Sequence, residues 1–395
     1  MRPPKVRTAI VGCGVISNIY IRNLKHLFSI IDLVAVCDIR PEAAQEKAEL
    51  YGVDKVMTID EIAADESIEL VVCLTGPAQH YEVIKKMLLA GKHVYTEKSL
   101  AATLDEAREL VKLANERGLQ LGVAPDTVLG AGIQTARKAI DAGLIGQVTS
   151  CLIVLNKDQE LMAENFRFMR QPGGALPYDM GPYYVSAMLC LLGGVTEVQA
   201  FTAPGMVHRK EFLYQDEDPV DSYVIPGPAV MMGTMRFANG VLGSLHINGS
   251  TILPERPVLA IYGTEGILEL GDPNRFDGPV KLIRTENEEC TLPFTHGYCG
   301  VPTLPNPTGF EKGYGNRGVG VAEMAWAIRQ GRKCRLSGEY GLHAMEILFG
   351  MEESSKTGCT IKMDTPVDIR PLPSGYYDTI FGGSSRASAE LSLVD

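Results

Sequence analysis

Two short segments of this sequence carry side chains that could move a proton next to a bound molecule. In the first, Lys98 follows an apolar stretch, His93–Thr96, that is predicted to be a buried strand. A lysine at the carboxyl end of a parallel strand points into the crevice where such sheets bind ligands. In the second, Asp179 and Tyr183 are four residues apart, so they share one face if a helix begins near Asp179. Lys98, Asp179 and Tyr183 are therefore candidates for a chemical site.

Each of these residues also has an ordinary structural explanation. Lys98 could be a solvated lysine at a strand end, and Asp179 could simply cap a helix. Tyr183 and its neighbour Tyr184 could be core aromatics of an amphipathic helix. The spacing alone leaves both interpretations open.

A glycine-rich turn near the amino end predicts a dinucleotide site. Gly12-Cys13-Gly14-Val15-Ile16-Ser17 follows the first predicted strand and opens the first predicted helix. Gly12 permits a tight turn, and Gly14 lets backbone N–H groups approach a pyrophosphate at the positive end of the helix. Val15 and Ile16 begin that helix, so we expect them beside the cofactor. Ser17 stands where the fingerprint has its third glycine and is still small enough for close packing.

An acidic residue completes this fingerprint. Asp38 ends the second predicted strand, about 20–25 residues beyond the glycines, where the fingerprint places the ribose-binding acid. A carboxylate there favours NAD, because it would repel the 2′-phosphate of NADP. Arg40 could pair with that phosphate or stack on adenine, so NADP stays an alternative. A plain glycine turn with a capping aspartate would look similar, but the strand before and the helix after favour a ligand site.

The elements around these motifs predict two domains. In the first third of the chain, strands that are apolar throughout alternate with helical patterns. That alternation is typical of a parallel sheet covered on both faces, so we predict a doubly wound α/β domain. The predicted strands are Val6–Val11, Leu33–Cys37, Leu70–Leu74, His93–Thr96 and Leu119–Val123, and the predicted helices are Val15–Phe28, Pro41–Tyr51, His80–Ala90 and Leu104–Arg117.

After Asp126 the pattern changes to longer stretches that are typical of antiparallel strands, including a hairpin with an Asn239-Gly240 turn. We predict an α+β domain with a large, mostly antiparallel open sheet and helices on one face. The first domain is placed at residues 1–126, the second at 127–370 and an irregular tail at 371–395. The stretch 293–318, rich in glycine, proline and aromatics, is predicted to be a long loop, and such loops are often functional.

Composition excludes several classes of protein. The 395 residues include 37 lysines and arginines against 48 aspartates and glutamates, a net charge of −11, with no basic run. Nucleic-acid binding is therefore not expected, because it depends on clustered cations. No stretch approaches the roughly 18 consecutive apolar residues of a membrane span. The nine cysteines form no Cys-x-x-Cys pair and the amino end lacks a signal-like apolar core, so we expect reduced thiols in the cytoplasm and no metal site.

Taken together, these motifs resemble the Gfo/Idh/MocA family, which includes glucose–fructose oxidoreductase and inositol dehydrogenase. The resemblance runs from about residue 5 to about residue 360. It covers the Gly12–Ser17 turn, Leu74-Thr75-Gly76-Pro77 with His80, Gly91 to Lys98, the Gly173–Asp179 segment and the Gly263-Thr264-Glu265-Gly266 turn. The set is specific, although no single motif is.

The resemblance implies a Rossmann domain and hydride transfer between NAD(P) and a secondary hydroxyl of a sugar, polyol or glycoside. It places Lys98 beside the nicotinamide and the reacting hydroxyl, and Asp179 where it positions the substrate. Thr75 and Pro77 match the strand end near the nicotinamide ribose, Glu97 matches an acid beside the cofactor, and His80 belongs to the same region.

Two departures from the family pattern matter. Ser99 replaces the proline of the Glu-Lys-Pro motif, so the aim of Lys98 could differ. Tyr183 stands where the family has its catalytic histidine. A phenol can relay a proton, and a cation in hydrogen-bond range makes its ionisation easier. We expect Lys98 to be that cation and Tyr183 to take or relay the proton.

Substrate contacts are predicted only from position between the two domains. The candidates are Asp126, Asn156, Lys157, Arg167, Tyr184, His296 and Arg317. The expected partners are a small carbohydrate or glycoside and further copies of the chain in a homodimer or homotetramer. Two other functions stay open: glycoside oxidation, for example at C3, as a step of redox-neutral glycoside cleavage, and a non-catalytic module that senses NAD(P) or a sugar.

Overall fold

The computed structural model describes residues 3–205, 224–251, 258–285, 288–299, 317–367 and 369–373. Most of the predicted loop at 293–318 and of the tail from 371 lies outside these residues. Among the helices that are described, none is long and apolar enough to cross a membrane.

The first part of the chain folds into a parallel sheet flanked by helices. Its strands are β1 (Val6–Val11), β2 (Ile31–Cys37), β3 (Lys55–Val56), β4 (Leu70–Cys73), β5 (His93–Thr96) and β6 (Leu121–Val123), and its helices are α1 (Ser17–His26), α2 (Pro41–Tyr51), α3 (Ile59–Ala64), α4 (Pro77–Leu89) and α5 (Leu104–Glu116). The strand order is β3-β2-β1-β4-β5-β6, and every pairing is parallel. The order reverses between β1 and β4, and ligands bind at such a reversal, beyond the carboxyl ends of the strands.

Local sequence explains where these elements begin and end. Helix α2 has Pro41 in its first turn and ends at Gly52, which adopts the left-handed conformation with φ +64°. Helix α5 starts from a capping box in which Thr103 and Glu106 satisfy each other's backbone N–H groups. The predictions for β1, α2 and β5 are confirmed to the residue, and the other predicted elements of this domain are found with ends shifted by a few residues.

Two elements of the first domain were not predicted. Strand β3 has only two residues, both exposed, at the edge of the sheet. Helix α3 has six residues and a single buried one, Ile62, so it lacks the apolar periodicity on which the prediction depended. Its capping box, Thr58 with Glu61, was the available signal.

The second part of the chain forms a nine-stranded sheet. Its strands are β7 (Val148–Asn156), β8 (Val195–Ala203), β9 (Val230–Phe237), β10 (Leu242–Asn248), β11 (Val258–Gly263), β12 (Ile267–Leu270), β13 (Val280–Thr285), β14 (Glu288–Thr291) and β15 (Ile361–Lys362), in the order β14-β13-β12-β11-β7-β10-β9-β8-β15. All pairings are antiparallel except β7 with β10. The β9–β10 hairpin turns at Gly240, whose φ is +88°, so the predicted hairpin and mostly antiparallel sheet are confirmed.

Helices join the two sheets into one interior. They are α6 (Ala131–Asp141), α7 (Gln159–Asn165), α8 (Leu176–Asp179), α9 (Gly181–Leu192), α10 (Val319–Gln330) and α11 (Gly338–Thr357). Helix α11 packs against α5 and β6 of the first sheet and against β8 of the second. Helix α9 is buried along its whole length. The end of α8 and the start of α9 therefore lie on a rigid support.

Candidate functional site

The first glycine of the turn is required by the fold itself. Gly12 has φ +104°, a conformation that L side chains rarely adopt. A Cβ at this position would lie 2.7 Å from the carbonyl carbon of Leu74 at the end of β4. The backbone of the turn therefore lies directly against the next strand, and only glycine fits there.

Gly14 behaves differently, because the protein itself does not need a glycine at that position. A Cβ on Gly14 would meet nothing within 4 Å, and the residue is exposed. The Ser17 hydroxyl donates to the carbonyl oxygen of Gly14 at 2.6 Å and is fully buried, which confirms the predicted close packing at the third fingerprint position. An open surface above Gly14, at the amino end of α1, fits a ligand that comes close to the backbone.

The Asp38 carboxylate lies next to the glycine turn. Its Oδ2 accepts a hydrogen bond from the Cys13 N–H at 2.7 Å, and its Oδ1 accepts one from the Arg40 N–H at 2.9 Å. The Arg40 side chain is exposed, with its Nε 3.8 Å from the same carboxylate. Val15 and Ile39, which follow Gly14 and Asp38 in the sequence, are both exposed. The acid predicted for the ribose is thus held rigidly beside the glycine turn.

His80 links the two loops that follow β4 and β5. Its Nε2 lies 2.9 Å from the Thr75 carbonyl oxygen, and its Nδ1 lies 2.5 Å from the Ser99 carbonyl oxygen. Burial lowers the pKa of His80, while the two carbonyl contacts act in the opposite direction. The ring has no exposed surface, so it supports the loops that carry half-buried Thr75 and Pro77 and does not face the cleft.

Glu97 accepts a hydrogen bond from Tyr20, a residue that was not predicted to belong to the site. The Tyr20 hydroxyl on α1 donates to Glu97 Oε1 at 2.7 Å, and the Lys98 N–H donates to Oε2 at 3.2 Å. Burial, followed by the charge of Glu97, raises the pKa of Tyr20 well above its usual range, so this phenol stays neutral. No motif pointed to Tyr20, because its partner is 77 residues away along the chain.

The three candidate chemical residues meet at the carboxyl end of β5. Lys98 Nζ lies 2.5 Å from Asp179 Oδ1, and it also lies 5.4 Å from the centre of the Tyr183 ring. Burial works to lower the pKa of Lys98, but the charges of Asp179, Tyr183 and Glu97 and the hydrogen bond to Asp179 together outweigh it, and the pKa is raised. Lys98 is therefore a cation at neutral pH.

The cation that contacts the Tyr183 hydroxyl is Arg317, not Lys98 as expected. Arg317 Nη2 donates to the Tyr183 oxygen at 3.3 Å, whereas Lys98 lies over the face of the ring and points its charge at Asp179. Arg317 also donates to the side-chain oxygen of Asn274. The expectation differed because residue 317 is far away in sequence and follows a segment without a clear period.

The remaining candidates for substrate contacts have different surroundings. Lys157 is half-buried after β7, and Arg167 is exposed at the start of a short 3-10 helix, Arg167–Arg170. Asn156 is buried, with its Oδ1 3.2 Å from His246 Nε2. These three stay predictions.

Three other candidates lie in the interior. Asp126 is fully buried and accepts hydrogen bonds from the Gly318 and Gly320 N–H groups at the start of α10. Tyr184 is fully buried and donates to Asp272, and His296 anchors the Leu372 carbonyl at 2.9 Å. Their part in substrate binding stays a prediction, and the geometry indicates structural roles. Within the described residues, no cluster of three metal-ligating side chains is found.

Two family models match this chain. Residues 6–124 match the family model described as an oxidoreductase family with an NAD-binding Rossmann fold, and residues 133–269 match that of the GFO/IDH/MocA C-terminal domain. The chain belongs to the Gfo/Idh/MocA family. Its first domain is an NAD-binding Rossmann domain, as the glycine turn predicted.

Curated proteins match this chain over different lengths. An uncharacterised oxidoreductase of Schizosaccharomyces pombe is 32% identical over 198 residues, which cover 49% of this chain and 54% of that protein. The match thus spans only about half the length of this relative. The scyllo-inositol 2-dehydrogenase (NADP(+)) of Bacillus subtilis is 24% identical over 377 residues, covering 91% of this chain and 96% of the relative.

A solved structure shows the same fold. Levoglucosan dehydrogenase in complex with NADH and levoglucosan superposes with a TM-score of 0.75 at 20% identity, covering 91% of this chain and all of that one. Against the family pattern, Ser99 follows a cis peptide bond from Lys98, and the Lys98 ammonium still reaches Asp179. Tyr183 is predicted to stand where the family has its histidine, and its hydroxyl accepts a hydrogen bond from Arg317 Nη2.

Proposed function

We propose that this protein oxidises a secondary hydroxyl of a sugar, polyol or glycoside, with NAD as the hydride acceptor. The observation that carries the proposal is the buried Lys98–Asp179 ion pair beside Tyr183, at the carboxyl end of β5. This end of the sheet is also the end at which the Gly12–Gly14 turn leaves β1. A cofactor on the turn and a substrate at the ion pair would therefore share one crevice.

The residues of the crevice fit NAD. The open surface above Gly14 admits a pyrophosphate to the amino end of α1, and Asp38 is placed to accept hydrogen bonds from ribose hydroxyls. The negative charge of Asp38 favours NAD over NADP, although the Bacillus subtilis relative is named for NADP(+). When bound, the nicotinamide accepts the hydride that leaves the substrate carbon.

Lys98 supplies positive charge where the substrate oxygen becomes negative. Because the pKa of Lys98 is raised, this side chain cannot act as a base at neutral pH. Its ammonium instead stabilises the alkoxide that forms as the hydroxyl proton leaves, which is the main catalytic effect we assign to this protein. Asp179 holds the ammonium in place and offers its carboxylate to a neighbouring substrate hydroxyl.

Tyr183 takes the proton of the reacting hydroxyl. Its ring is only 7% exposed, so the phenol acts in a site with little water. In the oxidation, the C–H electron pair leaves as hydride for the nicotinamide, the O–H proton moves to the Tyr183 oxygen, which has first released its own proton to solvent, and the C=O bond forms. A side chain in this role typically contributes about a hundredfold or more to the rate.

The substrate class follows from the relatives only as a proposal. Relatives are named as inositol, D-xylose and 1,5-anhydro-D-fructose oxidoreductases, and all of these act on hydroxyls or carbonyls of polyols and sugars. Lys157 and Arg167, which lie around α7 near the sheet, are proposed to contribute to the choice among such substrates.

We also propose the division at residues 126 and 127, the separate tail from 371, and self-association through the open face of the second sheet. Phe201 is 80% exposed on β8 and stands opposite Met232 on β9, which is 49% exposed. Exposed apolar side chains on a broad sheet face are typical of an interface between copies. All nine cysteines are free, which supports a reducing location such as the cytoplasm.

The test is an absorbance assay of the full chain with NAD⁺ and a panel of myo-inositol, scyllo-inositol, D-xylose, D-glucose and levoglucosan. We expect NADH to accumulate with at least one member of the panel and not with Lys98→Met at the same protein concentration. Equal turnover by Lys98→Met, or cleavage of a glycoside without NADH, would contradict the proposal.

A further inference from the structure

We propose that Arg317 is the positioning residue of the Tyr183 hydroxyl, directing its proton toward the substrate and stabilising its oxygen when the proton is absent. The inference rests on the proposed role of Tyr183. It goes beyond that role because it assigns a second residue, so that Tyr183 and Arg317 together do what a single histidine would do in the family.

Hydrogen-bond chemistry fixes the direction of the phenol. A guanidinium has only donors, so at the 3.3 Å contact with Arg317 Nη2 the Tyr183 oxygen must accept. Among the described residues, Arg317 is the one hydrogen-bond partner of this hydroxyl. The phenolic proton is therefore left to point away from Arg317, and Lys98 and Asp179 mark the side on which a substrate would meet it.

Arg317 is itself rigid. Its side chain is 5% exposed and donates to the Asn274 side-chain oxygen, and its backbone oxygen accepts a hydrogen bond from Asn23 Nδ2 at 2.7 Å. The guanidinium carbon also lies 5.6 Å from the centre of the Phe276 ring. Because these three contacts already hold the Arg317 side chain, its guanidinium can donate to Tyr183 without a further loss of side-chain freedom when substrate binds.

The charges around Arg317 are not those of a structural ion pair. Among the described residues, no carboxylate lies within ion-pair distance of its guanidinium, which donates to Asn274 and Tyr183. Burying a guanidinium without a carboxylate partner is costly. The charges of Asp126 and Glu97 offset part of that cost, and a phenol that becomes negative during each turnover would offset more of it.

Other charged groups face this pair from several elements. Lys98, which follows β5, lies 5.4 Å from the centre of the Tyr183 ring, as the Arg317 guanidinium carbon does, and is paired with Asp179 on α8. Asp126 and Glu97 also act on Arg317 through their charge. These groups therefore contribute to the electrostatic potential at Arg317. Among the described residues, none of them forms a hydrogen bond with the Tyr183 hydroxyl.

The experiment compares R317Q, R317K, Y183F and the double variant R317Q/Y183F, using the panel member that gives NADH with the wild-type protein. The readout is kcat/KM against pH, with NADH affinity by fluorescence and thermal unfolding as controls. At neutral pH, R317Q should lose roughly 10- to 100-fold in kcat/KM, the effect of losing a hydrogen bond to a charged group. The acidic limb of the pH profile of R317Q should move to higher pH, because the phenol loses the cation that favours its ionisation. R317K keeps the positive charge, so its acidic limb should move less.

The double variant separates the two proposals. If Arg317 acts through Tyr183, R317Q/Y183F should be no slower than Y183F within roughly threefold. A profile of R317Q with the wild-type shape and position, or losses that simply multiply in the double variant, would overturn the role of Arg317 while leaving that of Tyr183 intact. Full activity of Y183F would overturn both. Should R317Q fail to fold, Asn274→Ala releases the guanidinium instead, and a wild-type pH profile of that variant would equally reject the proposal.

Discussion

The two glycines of the amino-terminal turn should respond in opposite ways to the same added methyl group. Gly12 has φ +104°, and its Cβ would meet backbone atoms of Leu74 and Thr75 at 2.7–2.8 Å. The left-handed conformation costs a side chain about 1–2 kcal/mol, and a forced contact in a packed interior costs about 1–3 kcal/mol. Gly12→Ala should therefore lower the free energy of unfolding by about 2–5 kcal/mol.

Gly14→Ala should leave stability within about 0.5 kcal/mol of the wild type, because the new methyl group meets no protein atom. It should instead weaken NADH binding. If the methyl group keeps the pyrophosphate from the backbone, hydrogen bonds to a charged group worth about 1.5–3 kcal/mol are lost, or roughly 10- to 100-fold in Kd.

Urea unfolding gives the free energies, and NADH fluorescence titration gives the dissociation constants. The two variants are controls for each other, since they add the same group two residues apart. If Gly14→Ala binds NADH as tightly as the wild type, the cofactor does not approach the backbone at this turn, and our placement of the dinucleotide is wrong.

Three further predictions concern the rest of the site. Tyr183→Phe should cut kcat by about a hundredfold or more while NADH affinity is retained, and unchanged turnover would reject its acid–base role. Asp38→Asn keeps the shape of the side chain but removes the charge, so the ratio of NADPH to NADH affinity should rise by roughly tenfold or more; a constant ratio would show that Asp38 does not set cofactor choice. Burial raises the pKa of Asp126 to about 6, against 3.8 for the unperturbed group. The folded state then binds more protons than the unfolded state between these values, so this residue's contribution to stability should decline as pH rises from about 4 to 6, by on the order of 3 kcal/mol. Urea unfolding of Asp126→Asn across that window should lack this decline; parallel curves for the two proteins would be the contrary result.

The sequence predicted the parts of the molecule that depend on local chemistry. Helix α2 has a proline at one end and a glycine at the other, and β5 is a short apolar strand between polar residues, so both could be placed to the residue. The glycine turn and Asp38 could be predicted because their spacing is fixed by the strand–helix–strand unit itself. The parallel pairing of β7 with β10 could not be predicted, because the alternation of polar and apolar residues in a strand does not indicate whether its neighbour runs parallel or antiparallel.

The parts of the site that the sequence could not predict depend on contacts between distant segments. Tyr183 and Arg317 are 134 residues apart, and Tyr20 and Glu97 are 77 residues apart. Asp126 and His80 are polar residues near the predicted crevice, but their burial shows that they support loops and a helix end. Burial of a polar side chain is a property of the whole fold, and spacing along one segment does not reveal it.

Transfer of deuterium tests the central claim most directly. The panel member that yields NADH is prepared with deuterium on the carbon of the reacting hydroxyl, and the nicotinamide product is examined by mass spectrometry and NMR. We predict that the label appears at C4 of NADH with the wild-type protein and is reduced to a trace with Lys98→Met, which still binds NADH. Conversion of the sugar with no label in the accumulated nicotinamide would contradict hydride transfer at this site.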